Sequence, residues 1–360
     1  MSPSLPKTYK AAVIEKANAP LVIKELPLKS PGPKQVLVKV LACGVCHSDS
    51  GAQGGHFGNP FPLVPGHEII GDVVALGEGV SRVAVGDRAG GPWHGGHDNA
   101  CNQCARGMFQ TCDNAQINGV TRDGGYAEYV LLREEAVVRL PKDTDPAAAA
   151  PLLCAGVTVF NGLRKLRVEQ GGLVAVQGIG GLGHLAIQYA SKMGYRVVAI
   201  SSGASKRDFA TQLGAHAYID ASAGDAPAEL RKMGGAAAIV ATAPNPAAIG
   251  PMVAGLRVGG KLLVVAAAGP ITVDSNTMLM RAASVVGWPS GHALDVEEAV
   301  QFAADHGIRC MVEKFALEDA NRAMEHCTSG KVRFRGCWSC RGRGRRRGKK
   351  ECTWVQKDFK

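Results

Sequence analysis

The stretch LVAVQGIGGLG, residues 173–183, decides the fold of the second half of this chain. Residues 173–177 are mostly apolar and predict a buried strand, and the stretch after the glycines predicts a helix that ends near Met193. The glycines of the turn between them are Gly178, Gly180, Gly181 and Gly183. A strand, a tight glycine turn and a helix N-terminus direct free backbone N–H groups and the helix dipole at an anion. The stretch therefore predicts a site for the pyrophosphate of a dinucleotide.

Further apolar runs follow the same pattern of strand and helix. The six runs are residues 173–177, 196–200, 217–220, 237–241, 261–266 and 284–287. Helix-like stretches lie in most of the gaps, and strands that alternate with helices form a parallel sheet covered on both faces. We therefore expect residues 156–287 to be a Rossmann domain, an α/β fold built on a doubly wound parallel sheet.

The first part of the chain has a different pattern. Short β-like runs are separated by Gly and Pro, which predicts a compact, mostly β domain. These runs are residues 36–41, 69–76 and 126–132. Two amphipathic stretches near the other end, 295–306 and 317–328, predict helices that return the chain to this domain. We expect the domain to comprise residues 1–155 and 288–335.

The segment from Gly336 to Lys360 differs from the rest of the chain. It holds nine Lys or Arg against two acidic residues and shows no apolar alternation. Such a segment cannot bury enough apolar surface to fold by itself. We expect residues 336–360 to be a basic, disordered or aberrant tail that replaces a final strand after Arg335. The alternative is a tail that binds RNA or directs the protein to the nucleus.

The composition of the 360 residues, 46% hydrophobic and 20% charged, is typical of a soluble two-domain protein. The net charge of +10 falls to +3 without residues 336–360, so nucleic acid is not an expected partner. No stretch approaches the roughly 20 apolar residues of a membrane span, and the N-terminus lacks an apolar core of signal-peptide length. We expect a cytoplasmic protein without a membrane partner, whose cysteines are thiols or metal ligands.

Five stretches carry a resemblance to a known family. They are CGVCHSD (43–49), PGHEIIGDVVALGEGV (65–80), PLLCAGVTVFNGLR (151–164), GIGGLG (178–183) and GWPSG (287–291). From about Tyr9 to Arg335 the chain resembles the zinc-dependent medium-chain alcohol dehydrogenases. It is similar above all to the cinnamyl-alcohol-dehydrogenase-like branch, and also to fungal biosynthetic members of the patulin-pathway type. The resemblance implies a GroES-like β-rich catalytic domain beside the Rossmann domain, a small alcohol or aldehyde substrate, and a homodimer.

Within this resemblance, Cys46, His67 and Cys154 are the ligands of a catalytic zinc ion. Their spacing gives no direct proof, and His67 taken alone would more often be a loop histidine. Three protein ligands leave the fourth position of zinc open to a water or substrate oxygen. The resemblance also implies that Asp49 fixes the ring of His67 through its far nitrogen and that Glu68 lies next to the metal. The alternative for both acids is a solvated surface carboxylate.

The resemblance assigns the proton transfer to Ser48. Its hydroxyl accepts the proton of the alcohol, whose carbon then gives hydride to the nicotinamide, and reduction runs the other way. The alternative is a serine that caps a helix or turn. His47 resembles the residue that contacts the cofactor pyrophosphate, and Thr158 resembles the residue that touches the nicotinamide. Many relatives continue the proton path with a histidine where this chain has Gly51, so the proton leaves by another route here.

Four closely spaced residues indicate a second metal site. The family pattern C-x2-C-x2-C-x7-C reads here as Asp98-x2-Cys101-x2-Cys104-x7-Cys112. Three thiolates in a short loop can surround a zinc ion at about 2.3 Å, and a carboxylate can be the fourth ligand. We expect a structural zinc site with Asp98 as a ligand, although His97 can compete for that place. The alternative is a metal-free loop that holds reduced thiols.

The end of the second Rossmann strand predicts which dinucleotide binds. Enzymes that use NAD usually place an acid there to bind the ribose hydroxyls. This strand ends in Ser201 and Ser202, with Lys206 and Arg207 close behind. Hydroxyls and a cation favour the 2′-phosphate of NADP(H), which an acid would repel. We therefore expect NADP(H), while the alternative for the two cations is the solvated start of a helix.

The sequence thus predicts a zinc-dependent oxidoreductase that interconverts an alcohol and an aldehyde, or a lactol, with NADP(H). A role in fungal secondary metabolism favours reduction of the carbonyl, and Trp93 in the expected pocket favours small or flat substrates. Two alternatives remain. One is a zinc-free quinone or enoyl reductase on the same scaffold, and the other is a catalytically impaired binding protein.

Overall fold

The computed structural model describes residues 5–329 and 334–339. Its strands are β1 (Thr8–Val13), β2 (Val22–Pro27), β3 (Gln35–Val45), β4 (Ile69–Leu76), β5 (Arg88–Gly91), β6 (His94–Gly96), β7 (Gln116–Ile117), β8 (Tyr129–Arg133), β9 (Val138–Leu140), β10 (Leu173–Gln177), β11 (Arg196–Ser201), β12 (Ala217–Asp220), β13 (Ala236–Ala241), β14 (Leu256–Val264), β15 (Ser284–Gly287), β16 (Val312–Phe315) and β17 (Arg335–Ser339). Its helices are α1 (His47–Gln53), α2 (Asn102–Ala105), α3 (Pro146–Ala149), α4 (Ala155–Leu166), α5 (Gly183–Lys192), α6 (Arg207–Gln212), α7 (Ala226–Lys232), α8 (Pro246–Ile249), α9 (Ser275–Arg281), α10 (Ala293–Asp305) and α11 (Ala320–Thr328).

Six parallel strands form one sheet in the order β12-β11-β10-β13-β14-β15. Each apolar run of the second half overlaps one of these strands, and central residues such as Val174, Val198 and Ile239 are buried. Helices connect the strands, so the sheet needs apolar residues on both faces. Because the chain crosses from β12 back past β10 to β13, the order is that of a doubly wound sheet. The predicted fold class is confirmed.

The first half forms a sheet in the order β16-β17-β3-β4-β5-β9, with β8 also paired to β3. Strand β3 is its long central member, and Val36, Val38 and Val40 are buried along one face because side chains alternate along a strand. Strands β1 and β2 form a second, two-stranded sheet, and β6 and β7 form a third. This β-rich core holds the loop after β3, which contains Cys46, and the loop before β4, which contains His67 and Glu68.

Strand β17 corrects the expectation for the end of the chain. Residues 336–339 are not part of a disordered tail, because they pair with β16 on one side and β3 on the other. Cys337 and Trp338 are fully buried. The four residues GCWS are too few to predict a strand from their pattern. In the fold, they form backbone hydrogen bonds with a strand on each side, and the indole of Trp338 is buried in the core. The rest of the expected tail, residues 340–360, lies outside the described residues.

The chain divides into two compact units. Of the described residues, the first contains 5–154, His292–Glu297, 310–329 and 334–339, and the second contains Ala155–Gly291 and Glu298–Arg309. The expectation placed all of 288–335 in the first unit, whereas most of α10 packs in the second. There Phe302 stacks on Tyr189 at 5.9 Å, and the Tyr189 hydroxyl donates to the carbonyl of Ala299 at 2.9 Å.

None of the single helices in residues 5–329 and 334–339 is long and apolar enough to cross a membrane. The bent pair of segments Pro146–Leu153 and Ala155–Leu166 passes that test only by length and composition.

Candidate active site

Four side chains from three separate segments meet in the first unit. They are Cys46, His67, Glu68 and Cys154, and one ligand atom from each lies within 4.8 Å of the others. Cys46 ends the loop between β3 and α1, His67 and Glu68 precede β4, and Cys154 follows a 3-10 turn before α4. The structure therefore brings together the three residues that were expected to bind the catalytic zinc.

The donor atoms of this group fit a tetrahedral metal ion. The Sγ atoms of Cys46 and Cys154 are 3.9 Å apart, close to the roughly 3.8 Å between two sulfurs that each lie about 2.3 Å from one zinc ion. A disulfide would need about 2.0 Å. The Nε2 atom of His67 is buried without a hydrogen-bond partner in the described part of the chain, as a metal ligand would be. The hydrogen bond between Cys46 and Cys154 holds the pKa of the Cys46 thiol well below its usual range.

The imidazole of His67 is fixed from its other side. Asp49 is buried, and its Oδ1 lies 3.2 Å from Nδ1 of His67. Its Oδ2 accepts hydrogen bonds from the Tyr126 hydroxyl at 3.0 Å and from the Cys46 backbone N–H at 2.9 Å. Burial lowers the pKa of His67, but Asp49, through its charge and its hydrogen bond, and the neighbouring Cys46 together outweigh burial and raise this pKa well above its ordinary value. This arrangement leaves Nε2 to face the sulfurs, and it includes Tyr126, which the sequence did not indicate.

Glu68 is fully buried and forms an ion pair with Arg335, which is also buried. Burial raises the pKa of Glu68 to about 8, although the charge of Arg335 acts in the opposite direction. A Cβ on Gly44 would lie 1.8 Å from Oε2 of Glu68, so only glycine leaves room for this carboxylate. From the sequence, Arg335 was expected only to be the last residue before the tail. A single arginine in an apolar context can indicate a buried ion pair, but nothing in the sequence identifies Glu68 as its partner.

Ser48 lies in the first turn of α1, and its Oγ is 3.7 Å from Sγ of Cys46. Three residues further on, a Cβ at Gly51 would lie 2.9 Å from the ring of Phe57. The ring of Phe57 therefore occupies the place where a side chain at position 51 would extend. Trp93 meets this ring edge-on at 5.7 Å and meets the ring of His67 edge-on at 4.8 Å. Trp93 and Phe57 thus form an aromatic wall beside the imidazole.

The second group of ligand atoms lies in one loop of the first unit. Asp98, Cys101, Cys104 and Cys112 also have ligand atoms within 4.8 Å of one another. The Sγ atoms of Cys101 and Cys112 are 3.7 Å apart, and Oδ1 of Asp98 is 3.4 Å from Sγ of Cys104. Both distances suit a tetrahedral ion with sulfur and oxygen ligands. Hydrogen bonds from Asn114 and from the backbone of Ala100 and Cys101 hold the pKa of Asp98 well below its usual value.

His97 is engaged elsewhere. Its Nδ1 lies 3.1 Å from Nε2 of His94, and its Nε2 lies 2.9 Å from Oδ1 of Asn99. Both ring nitrogens therefore have a hydrogen-bond partner. Of the two candidates for the fourth position, the geometry favours Asp98 over His97.

The glycine turn of the second unit has the shape that a phosphate needs. Gly178 has a φ of +93°, and a Cβ on Gly183 would lie 1.9 Å from the carbonyl oxygen of Gly178. The space around Gly180 is open, with no atom within 4 Å of a Cβ built there. The hydroxyl of Thr242 holds the start of the turn, because the carbonyls of Gln177 and Gly178 share its hydrogen bond at 2.9 and 3.1 Å. The N-terminus of α5 follows directly, as expected for an anion site.

The loop after β11 carries hydroxyls and a cation. Ser202 is exposed, and Nζ of Lys206 donates to the carbonyl of Ile179 in the glycine turn at 3.4 Å. The acid of this region is Asp220, at the end of β12, and its carboxylate accepts from the backbone of Gly203 at 2.8 Å. Of the other expected cofactor contacts, Thr158 is buried in α4 of this unit, and His47 is exposed in α1 of the first unit.

The sequence matches two family descriptions and several curated relatives. Residues 32–142 match the alcohol dehydrogenase GroES-like domain, and residues 181–305 match the zinc-binding dehydrogenase family. Alcohol dehydrogenase patD of Penicillium expansum is 52% identical over 335 residues, which cover 93% of this chain and 98% of that protein. Alcohol dehydrogenase notN of Aspergillus sp. (strain MF297-2) is 52% identical over 332 residues, which cover 92% and 98%.

Solved structures share the fold. A cinnamyl alcohol dehydrogenase of Sorghum bicolor has a TM-score of 0.84 at 30% identity, covering 92% of this chain and 98% of that one. A CAD of Helicobacter pylori complexed with NADP(H) has 0.82 at 25%, covering 92% and 98%. An acetophenone reductase of Geotrichum candidum in complex with NAD has 0.81 at 26%, covering 94% and 98%. Because these neighbours hold either dinucleotide, they support a nicotinamide cofactor without deciding which one.

Proposed function

The chain belongs to the zinc-dependent medium-chain alcohol dehydrogenases, which interconvert alcohols and aldehydes, and we propose that it is an NADP(H)-dependent aldehyde reductase. The observation that carries the proposal is the buried group of Cys46, His67 and Cys154. Together with relatives named as alcohol dehydrogenases, this group argues against a zinc-free quinone or enoyl reductase. We further propose a role in fungal secondary metabolism, in the direction of carbonyl reduction.

The two sulfurs and Nε2 of His67 would hold the catalytic zinc. When bound, zinc polarises the carbonyl oxygen of the substrate. Asp49 orients the imidazole that serves as a ligand, and Tyr126 keeps Asp49 in place. Glu68 adds a carboxylate next to the ligands, and its pairing with Arg335 compensates the cost of burying it.

Ser48 is the proposed proton donor in the reduction. Its hydroxyl gives a proton to the substrate oxygen as hydride reaches the carbon, and it accepts that proton in the reverse reaction. The proton cannot continue through position 51, since Gly51 has no side chain and the ring of Phe57 fills that space. Water or cofactor hydroxyls must return the proton to Ser48.

The aromatic wall favours flat substrates. Trp93 packs its ring against both His67 and Phe57, so it narrows the space beside the imidazole. Aromatic rings prefer stacked or edge-on partners. We therefore propose a small or flat aldehyde, or a lactol that opens to one.

We base the preference for NADP(H) on the loop after β11. Ser201, Ser202 and Lys206 supply two hydroxyls and an ammonium group, and the strand end carries no acid. Lys206 already lies beside the glycine turn. A phosphate gains charge-assisted hydrogen bonds from such groups, whereas a 2′-hydroxyl gains little.

Two further proposals concern the second metal and the assembly. We propose that Asp98, Cys101, Cys104 and Cys112 hold a structural zinc ion. We also propose a homodimer formed through the exposed edge strand β15, since Leu279 and Met280 on α9 are 80% and 78% exposed and large exposed apolar side chains mark contact surfaces. Light scattering coupled to gel filtration tests the dimer, and a monomer of about 37.5 kDa would contradict it.

A coenzyme competition tests the proposed function. The rate of NADPH and of NADH consumption is measured over aromatic, aliphatic and lactol aldehydes, with and without a chelator. We expect kcat/KM to be at least about tenfold higher with NADPH, and Lys206→Gln to remove most of this preference. Lys192→Gln, an exposed lysine at the end of α5, is the matched control and should change nothing. A preference of the unaltered protein for NADH, or activity that survives full removal of metal, would contradict the proposal.

A further inference from the structure

We propose that Tyr218 and Asp220 are positioning residues that clamp the loop 201–206 in the shape that accepts the 2′-phosphate of NADP(H). The inference rests on the proposed use of NADP(H). It assigns the clamp to β12, a strand that was predicted from the sequence only as part of the parallel sheet.

The two side chains reach the loop because of the strand they occupy. Ile219 is buried in the core of the second unit, while its neighbours Tyr218 and Asp220 are half-buried. Successive side chains of a strand point to opposite faces, so these two share the other face. Strand β12 is parallel to β11, and Asp220 pairs with Ser201, the last residue of β11. The loop that follows Ser201 therefore passes directly beside both side chains.

Both backbone polar groups of Gly203 are held by this pair. Its N–H donates to Oδ1 of Asp220 at 2.8 Å, and its carbonyl accepts from the Tyr218 hydroxyl at 2.5 Å. Gly203 has a φ of +75°, so the chain turns sharply there. The carboxylate of Asp220 is itself fixed, because Ser222 donates to it from both its backbone and its hydroxyl, at 2.9 and 2.6 Å.

The clamp sets the positions of the groups on either side of Gly203. Ser202 precedes it, and Lys206 ends the short 3-10 turn that follows it. A loop that is held before the cofactor arrives loses less conformational freedom on binding. Asp220 stays charged, but three donors occupy its Oδ1, and the charge of Arg207, whose guanidinium lies 5.0 Å from the Tyr218 ring, offsets part of its repulsion of a phosphate. Lys206, which reaches the glycine turn, remains the cation for the phosphate.

Tyr218→Phe tests the clamp, because it keeps the ring beneath Arg207 and removes only the hydroxyl. One hydrogen bond corresponds to a change of about two- to tenfold. We expect KM for NADPH and Kd for 2′,5′-ADP to rise by that factor, while kcat at saturation, KM for NADH and Kd for 5′-AMP stay the same. Tyr195→Phe, which removes a hydroxyl 3.4 Å from the carbonyl of Val168 in the same unit, is the matched control. An equal rise for both coenzymes, or no rise for either, would overturn the inference.

Asp220 gives a second, independent readout. Asp220→Ala removes the acceptor and should raise KM for NADPH by the same factor, whereas Asp220→Asn keeps a carbonyl oxygen for Gly203 and should restore most of the affinity. An Asn variant as weak as the Ala variant would contradict the positioning role. If the unaltered protein prefers NADH, the proposed function fails. If it prefers NADPH and Tyr218→Phe leaves the ratio of the two KM values unchanged, only the clamp fails.

Discussion

The two groups of metal-ligand atoms are assembled in different ways. Asp98, Cys101, Cys104 and Cys112 come from a single loop, shaped by the one-turn helix α2 and the 3-10 turn before Cys112. Cys46 follows β3, and Cys154 lies 108 positions later, after the 3-10 turn Ala150–Leu153; the two meet only because that turn packs against the sheet that contains β3 and β4. The first group depends on local spacing, and the second depends on the folded sheet.

Because the two groups are assembled differently, we expect substitutions in them to have different effects. His67 and Glu68 of the sheet-dependent group are fully buried, so its donor atoms lie where water is scarce and electrostatic effects are strong. The loop group includes none of the residues to which the proposed proton transfer is assigned. We therefore expect loss of the first group to abolish chemistry, and loss of the second to weaken the loop.

Cys154→Ser should have the largest effect. It removes one sulfur from the sheet-dependent group, and a Lewis acid worth several kcal/mol corresponds to a loss of about a thousandfold in kcat/KM. Metal analysis should find one zinc per chain in place of two. Cys327→Ala is the control, because Cys327 is a half-buried thiol outside both groups. Full activity in a Cys154→Ser protein that retains only the loop metal would contradict the proposed catalytic role of the sheet-dependent group.

Cys104→Ala should separate stability from chemistry. The loop would lose its metal, and the melting temperature should fall by roughly 5–10 °C, while kcat of the folded protein should stay within about threefold. Asp98→Cys should do the reverse and slow the release of the second zinc to a chelator, since a thiolate binds zinc more tightly than a carboxylate. If both variants release metal at the rate of the unaltered protein, the loop does not hold the ion.

The same difference explains how far the sequence could predict the molecule. The glycine turn and the six apolar runs are local signals, and the doubly wound sheet they predicted is confirmed. The spacing of Cys101, Cys104 and Cys112 is also local. The meeting of Cys46, His67 and Cys154 has no local signal, and only the resemblance to a family identified it.

Long-range partners were missed for the same reason. Tyr126 and Arg335 contact Asp49 and Glu68 through the sheet, and no spacing in the sequence connects them. The expectation for residues 336–339 was wrong because a five-residue strand carries little pattern of its own. Its neighbours β16 and β3 supply the hydrogen bonds, and the buried indole of Trp338 supplies the apolar contact.

Asp49→Asn should have a smaller effect than loss of a ligand. The amide still fills the site, but it lacks the charge that orients His67, and changes of this kind cost about 10–100-fold in metal affinity or activity. Tyr126→Phe acts one step further away and should cost only about threefold. Both are measured as kcat and as the half-time of zinc loss to a chelator. Tyr9→Phe, in a partly buried tyrosine of the same core, is the control. Equal losses for the Asp49 and Tyr126 variants would contradict this order.

Glu134 provides a reference for what hydrogen bonds to a carboxylate achieve without any metal. Its Oε1 accepts from the backbone N–H groups of Ser81 and Arg82, at 2.5 and 2.9 Å, and Lys34 forms an ion pair with Oε2 at 2.9 Å. Burial alone would raise the pKa of Glu134, but these donors outweigh it and hold the pKa at about 2, below the ordinary 4.5. The carboxylate is therefore more acidic folded than unfolded. Its stabilisation is complete above pH 4.5 and is lost as the pH falls toward 2.

Glu134→Gln should consequently lower the free energy of unfolding by about 2 kcal/mol at pH 7, as expected for hydrogen bonds to a charged group. The difference from the unaltered protein should shrink between pH 4.5 and 3, since glutamine does not titrate. Urea unfolding at pH 7, 4.5 and 3 measures it. Asp98 also accepts backbone N–H donors, but it is exposed, so Asp98→Asn in metal-depleted protein should show a loss of the same sign and of smaller size. A much larger loss at Asp98 only when metal is present would then be due to the ion, and equal losses with and without metal would mean that hydrogen bonds alone hold the loop.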